Sequence, residues 1–200
     1  MTTTLDHFLE NVSRARGLSA LAQHLDERTT QAVDLSDIYR ATLVLSVSAL
    51  DHFVHEFVRV GMLEVHNGTR TATHAHLSFK IPLAAARAGI AATSKTDWLD
   101  EAIRDAHSWL SFQHPDRIAD AIRLVSAAKL WEEVAMDLGS TAAAVKARLI
   151  TIVDRRNKIA HEADMDPTNP GERWPINKVL VDDAVDYVEL VTLAIDKVAV

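Results

Sequence analysis

Between Gly139 and Pro167 the chain contains neither glycine nor proline, and from Thr141 to His161 (TAAAVKARLITIVDRRNKIAH) its apolar residues recur at helical spacing. With Ser140 expected as the N-cap, this stretch reads as a helix of about six turns. Successive residues 100° apart place Val145, Leu149, Ile152, Val153, Ile159 and Ala160 within an arc of roughly 120°, the expected core face. Arg156 lies near the centre of that arc. An arginine among core positions must snorkel, meet a buried anion or line a polar cleft, because a guanidinium is not left buried and alone.

His161 follows five residues later, and histidine is the side chain that most readily moves a proton near neutral pH. Asn157 is one turn before His161, where it could hydrogen-bond the ring and fix its tautomer. On an ideal helix Arg156 and His161 point about 140° apart, so one chain would not close a site between them.

The rest of the sequence is also helical in pattern. Six glycines and five prolines are few, and they cluster between periodic segments. Expected helices run from about Thr4 to Arg28, with an interruption near Gly17, and from Ser36 to His66, ending at Asn67-Gly68. A short helix starts around Pro82 and continues to Ile90. Another runs from Asp97 to about Gln113. Pro115 to Leu138 is helical with a break near Ala127-Ala128, and a last helix follows a cap at Asn177. Asp164 to Ile176 reads as a loop. The Ser36–His66 helix has a core stripe of Leu43, Leu50, Val54, Phe57 and Gly61. Its opposite side carries Ser48, Asp51, His52, His55 and Arg59. The expected architecture is all-α, an up-and-down bundle with additional short helices, formed by residues 1–200 as one domain.

Composition narrows the classes of function. A hydrophobic fraction of 48% with 24% charged residues is that of a globular protein, so disorder is not expected. The absence of cysteine excludes disulfides, thiolate metal sites and a thiol nucleophile. The N-terminus is acidic and polar where a signal peptide is basic and then apolar, and Ala41–Leu50 is too short to span a bilayer. A cytoplasmic protein with no membrane contact is therefore expected. A net charge of −7 argues against a general nucleic-acid coat. Locally, however, Lys146, Arg148, Arg155, Arg156 and Lys158 face only Asp154, a strip on which a polyanion could bind.

The run Arg156-Asn157-Lys158-Ile159-Ala160-His161 resembles the signature of the HEPN superfamily: an arginine, often a polar residue, and a histidine four to six positions on. Its place late in a long helix, before a polar loop and a final helix, is also similar. With SVSALDHFVHEFV in an early long helix, the whole chain looks most like the RiboL-PSP-HEPN branch. The resemblance implies a HEPN-like bundle that dimerises along this helix, bringing two signatures together at a two-fold axis. It also implies metal-independent RNA cleavage, with no cofactor. His161 would take the proton of a ribose 2′-hydroxyl, and Arg156 would hold the phosphate and stabilise its transition state, leaving a 2′,3′-cyclic phosphate. Asn157, Asp51 and His55 would support the site, and Arg155 and Lys158 would bind RNA. A toxin or phage-defence effector with a cognate antitoxin or defence-system partner is the implied setting.

Two positions depart from family patterns. Thr151 stands where an extended signature has glutamate, and Ala163 where certain toxins have a tyrosine that is modified. Two rival readings stay open: a HEPN module that binds nucleotide or RNA without cutting it, and a helical interaction domain in which Arg156 pairs with a buried carboxylate such as Asp51. His52 with His55, and His74 with His76, do not match a zinc-site spacing, so no metal site is expected.

Overall fold

The computed structural model describes residues 3–30, 33–91 and 96–199. Among these residues there are nine α-helices and no strands. Four long helices make the frame: α1 (Thr4–Asp26), α2 (Ser36–His66), α8 (Ala142–Glu162) and α9 (Lys178–Ala199). Five shorter ones join α2 to α8: α3 (His74–Leu77), α4 (Leu83–Ala91), α5 (Asp97–His107), α6 (Pro115–Ile122) and α7 (Leu130–Asp137).

Pairwise bonds fix the directions of the frame. Ser19 meets Asp182 and Arg16 meets Asp186, so α1 and α9 run antiparallel. Tyr187 donates to the Val145 carbonyl and Arg148 to Asp183, so α8 and α9 also run antiparallel. Arg40 near the start of α2 meets Asp164 just past the end of α8, which makes α2 antiparallel to α8. This is the up-and-down all-α bundle with additional short helices that the periodicity predicts.

The core stripe of α2 is buried as expected, including Leu43, Leu50, Val54, Phe57 and Gly61. Gly61 is there for contact: a Cβ on it would come within 2.8 Å of Val125. Phe53 packs edge-on to Phe8 of α1 at 5.7 Å between ring centres. Among the described residues α2 is the one helix long and apolar enough to cross a membrane, and its apolar stripe faces the core.

Local capping accounts for several boundaries. Thr3 and Asp6 form a reciprocal capping box for α1, which then runs through Gly17 without the expected break. Thr141, not Ser140, caps α8, its hydroxyl accepting from the Ala144 N–H at 3.2 Å. The helix expected to reach Gln113 stops at His107. The reason is tertiary: Asp51 of α2 accepts the Phe112 N–H at 2.5 Å and the Gln113 side-chain amide at 3.3 Å, drawing 108–113 out as a turn.

Candidate functional site

Helix α8 turns Val145, Leu149, Ile152 and Val153 into the core. Beyond Val153 the expected arc opens. Arg156 and Ile159 are half-buried, and Ala160 is exposed rather than part of the core. The physical cause is the partner surface: here α8 faces the first turns of α2, and no other helix covers it. Ala41, Val44 and Leu45 of α2, Ile159 of α8 and Ala163 just past its end line a shallow hollow of about 450 Å³, with Leu45 44% exposed.

Arg156 donates from Nη1 to the Asn157 side-chain oxygen at 3.0 Å. Its Nε is buried and has no partner among the described residues. Asn157 therefore steadies the guanidinium, not the imidazole ring as its spacing from His161 suggested. His161 is exposed in the last turn of α8 and makes no hydrogen bond among the described residues. The Arg156–Asp51 pair required by the interaction-domain reading does not form, since Asp51 is bonded to Phe112 and Gln113.

The basic strip of α8 is largely neutralised within the fold. Lys146 pairs with Asp116 at 2.8 Å and Arg148 with Asp183 at 2.7 Å, the latter also lying 4.1 Å above the Tyr187 ring. Arg155, expected as an RNA contact, donates instead to Asp164 at 2.9 Å and to the Trp174 and Pro175 carbonyls. Burial lowers its pKa, against the pull of Asp164, with Arg40 lowering it further. Arg156 and Lys158 remain without a carboxylate partner among the described residues. Lys158 lies 5.5 Å over the Trp174 ring, so a cation and a half-buried aromatic share one surface beside the signature.

Two residues that sequence reasoning passed over hold the end of α8. Asp164 is 1% exposed, and its Oδ2 accepts from Arg40 Nε at 2.7 Å as well as from Arg155. Arg40 is itself 6% exposed and also donates to Ser36 and to the Trp174 carbonyl. Ala163 (φ 51°) and Asp164 (φ 58°) both adopt the left-handed conformation. That costs an alanine on the order of 1 kcal/mol, so it persists because its surroundings enforce it. The enforcing bonds are at hand: the Asp164 N–H returns to the Lys158 carbonyl at 3.0 Å, and its carbonyl accepts from Trp174 N–H at 2.9 Å. The signal available in the sequence was an arginine at the head of an otherwise apolar stretch, Arg40-Ala41 to Leu50.

The other expected site residues sit elsewhere. Asp51 and His55 face the 108–113 turn. Their side chains are 3.9 Å apart, and the His55 ring stacks at 4.4 Å on Phe112. Arg59, on the same stripe, belongs to an ion network with Glu56, Asp100 and Arg104. Burial alone would raise the Glu56 pKa, but Arg59 and Arg104 hold it below the usual carboxylate value. Among the described residues no three His, Cys, Asp or Glu side chains converge as a metal site.

Comparison with curated proteins finds no match, and neither does comparison with solved structures. A family model does match, RiboL-PSP-HEPN, over residues 9–200. With nearly the whole chain covered and the all-α bundle in place, the protein belongs to the RiboL-PSP-HEPN family of the HEPN superfamily, a group of ribonuclease-type or RNA-interaction modules.

Proposed function

We propose that the protein is a metal-independent endoribonuclease whose site is shared by two copies of the chain. The observation that carries this reading is the state of Arg156. Of the strip's arginines it is the one without an acid partner, half-buried, oriented by Asn157 and with its Nε unsatisfied. A planar fork held in that way suits a phosphate better than a bulk-solvent role.

His161 takes the proton from a ribose 2′-hydroxyl. The 2′-oxygen forms a bond to the adjacent phosphorus as the bond from phosphorus to the 5′-oxygen breaks. Arg156 stabilises the added negative charge of the five-coordinate transition state. The leaving 5′-oxygen takes a proton from water, His161 returns its own to solvent, and the products are a 2′,3′-cyclic phosphate and a 5′-hydroxyl. Lys158 and the adjacent Trp174 face supply charge and stacking surface for the RNA strand.

The need for two copies follows from the divergence of Arg156 and His161 around one helix. The open hollow between α2 and α8 gives the second copy a surface to cover. Its apolar floor of Ala41, Val44, Leu45 and Ile159 adjoins the signature helix. A toxin or defence role is part of the same proposal.

The test is cleavage of end-labelled RNA in EDTA by wild type, Arg156→Ala and His161→Ala, with the product ends mapped. Cyclic-phosphate ends from wild type alone support the mechanism. Cleavage that survives both substitutions overturns it. Binding without cleavage by the folded wild type moves the protein to the RNA-holding class.

A further inference from the structure

At a distance from α8, a second concave surface opens between α4, α5, the 108–112 turn and α6. Its volume is about 1200 Å³, at the upper end of small-molecule pockets because one side is open to solvent. No residue of α8 lines it.

Helix α4 forms one wall and is unusual in composition and placement. Its sequence, LAAARAGIA, is almost entirely apolar, yet none of its residues is buried. Leu83 and Ile90 are 77% and 88% exposed. The helix touches α5 closely at one point, where Gly89 lies against Trp98 so tightly that a Cβ would be 2.6 Å from the indole. Ala84, Ala85 and Ala88 line the cleft from this helix with small side chains. Ala102 and Ala106 of α5, Ala121 of α6 and Leu124 just beyond α6 line it as well. The gap is a slot lined largely by small apolar side chains on these elements.

His107 lines the slot while being only 5% exposed. Phe79, Phe112 and His55 surround its ring edge-on, with centres 5.7, 5.5 and 6.3 Å away. The imidazole makes no hydrogen bond among the described residues. Burial, and then the neighbouring His55, lower its pKa to about 4, so at neutral pH the ring has one N–H donor and one nitrogen acceptor. The ring nitrogens are not fully sealed from solvent, so their donor and acceptor stay open to a partner in the cleft. The charges around the opening are mixed: Lys80 and Arg117 stand against Glu101, Asp105 and Asp120. That balance favours neither an anion nor a cation.

We propose that this cleft is a binding site for an uncharged, flat, nitrogen-bearing aromatic molecule, seated between the α4 alanines and the α5–α6 wall and hydrogen-bonded to His107. The small alanine side chains leave room for a ring, Phe79 and Phe112 around His107 supply aromatic edges, and the imidazole selects a ligand that both donates and accepts. The site is separate from the one proposed on α8 and does not depend on it.

Benzimidazole has the required donor and acceptor on a flat bicycle, and indene has the same shape with no nitrogen. Both are titrated into the full-length protein at pH 7.5, and binding is read from NMR shifts of cleft residues. Saturable binding of benzimidazole is expected, about tenfold tighter than indene, in line with one net hydrogen bond to a buried group. His107→Phe keeps the ring and should remove that preference. Ala88→Trp, at an exposed position on the slot wall, should abolish binding of both probes in a protein whose circular dichroism is unchanged. No saturable shift at millimolar probe would overturn the proposal, as would binding indifferent to both substitutions. A protein segment that occupies this face and is not displaced by benzimidazole would overturn it too.

Discussion

Arg155 and Asp164, nine residues apart, close on each other at 2.9 Å across the end of α8, and the carboxylate oxygen they share also holds Arg40 at 2.7 Å. The first arginine of the RRN run is thus tied into the fold, while the second has no carboxylate partner among the described residues. Asp164 is the hub: it joins α2, the end of α8 and the loop to Trp174, while its Oδ1 stays buried without a partner among the described residues.

Removing the hub leaves two arginines in the cluster without their acid. Asp164→Ala is expected to cost about 3–5 kcal/mol of unfolding free energy. Asp164→Asn, which keeps the shape and one acceptor, should cost clearly less. Urea denaturation monitored by circular dichroism checks the order. Equal stability of wild type and Asp164→Ala would refute the clamp.

The two adjacent arginines should separate in their effects. Arg155→Ala lowers stability by a few kcal/mol, because a buried hydrogen-bonded ion pair loses one member. Arg156→Ala changes stability by under about 1 kcal/mol, since its one bond is to its sequence neighbour, and abolishes RNA cleavage. Arg156→Lys retains the charge but not the fork, and at least tenfold of the rate should be lost. Melting curves paired with single-turnover cleavage assays give both readouts.

A shared site makes a distinctive claim about mixtures. Arg156→Ala and His161→Ala homodimers should each be inactive, while a mixed dimer holds one intact arginine and one intact histidine. Refolding the two variants together is therefore expected to restore part of the activity. Leu45→Glu, placing a charge in the α2–α8 hollow, should shift sedimentation towards monomer and remove cleavage without loss of helix signal. Full activity in a monomeric Leu45→Glu protein would contradict the shared site.

His107 makes stability fall on acidification. Its folded pKa, about 4, lies below the ~6.5 of an unfolded histidine, so between these values the unfolded chain binds more protons. Its contribution is complete above pH 6.5 and declines down to pH 4, by roughly 2–3 kcal/mol. His107→Phe should flatten that part of the pH–stability curve. A slope identical to wild type would mean the ring is solvated.

What the sequence made legible is what local periodicity controls. The α2 stripe from Leu43 to Gly61 and the α8 face from Val145 to Val153 are buried as their spacing predicts. The Arg156–Asn157–His161 order was readable too, and with it the family. Misreadings occurred where a distant group decides. Ala160 is exposed because α2 leaves that turn uncovered. The end of α5 is set by Asp51, 61 residues from Phe112, and no helical period contains that relation. Arg40 is the clearest instance: its partner is 124 residues away.

That separation bears on when the end of α8 closes during synthesis of the chain. Arg40 leaves the ribosome 124 residues before its acid partner. Until then the guanidinium has nothing to close on, and the last turn of α8, where His161 sits, has no fixed end. Contacts between segments so far apart form late, after the local helices. The end of α8 that such a contact closes is therefore set late on the nascent chain, and the RNA site proposed there would take its shape only after that closure.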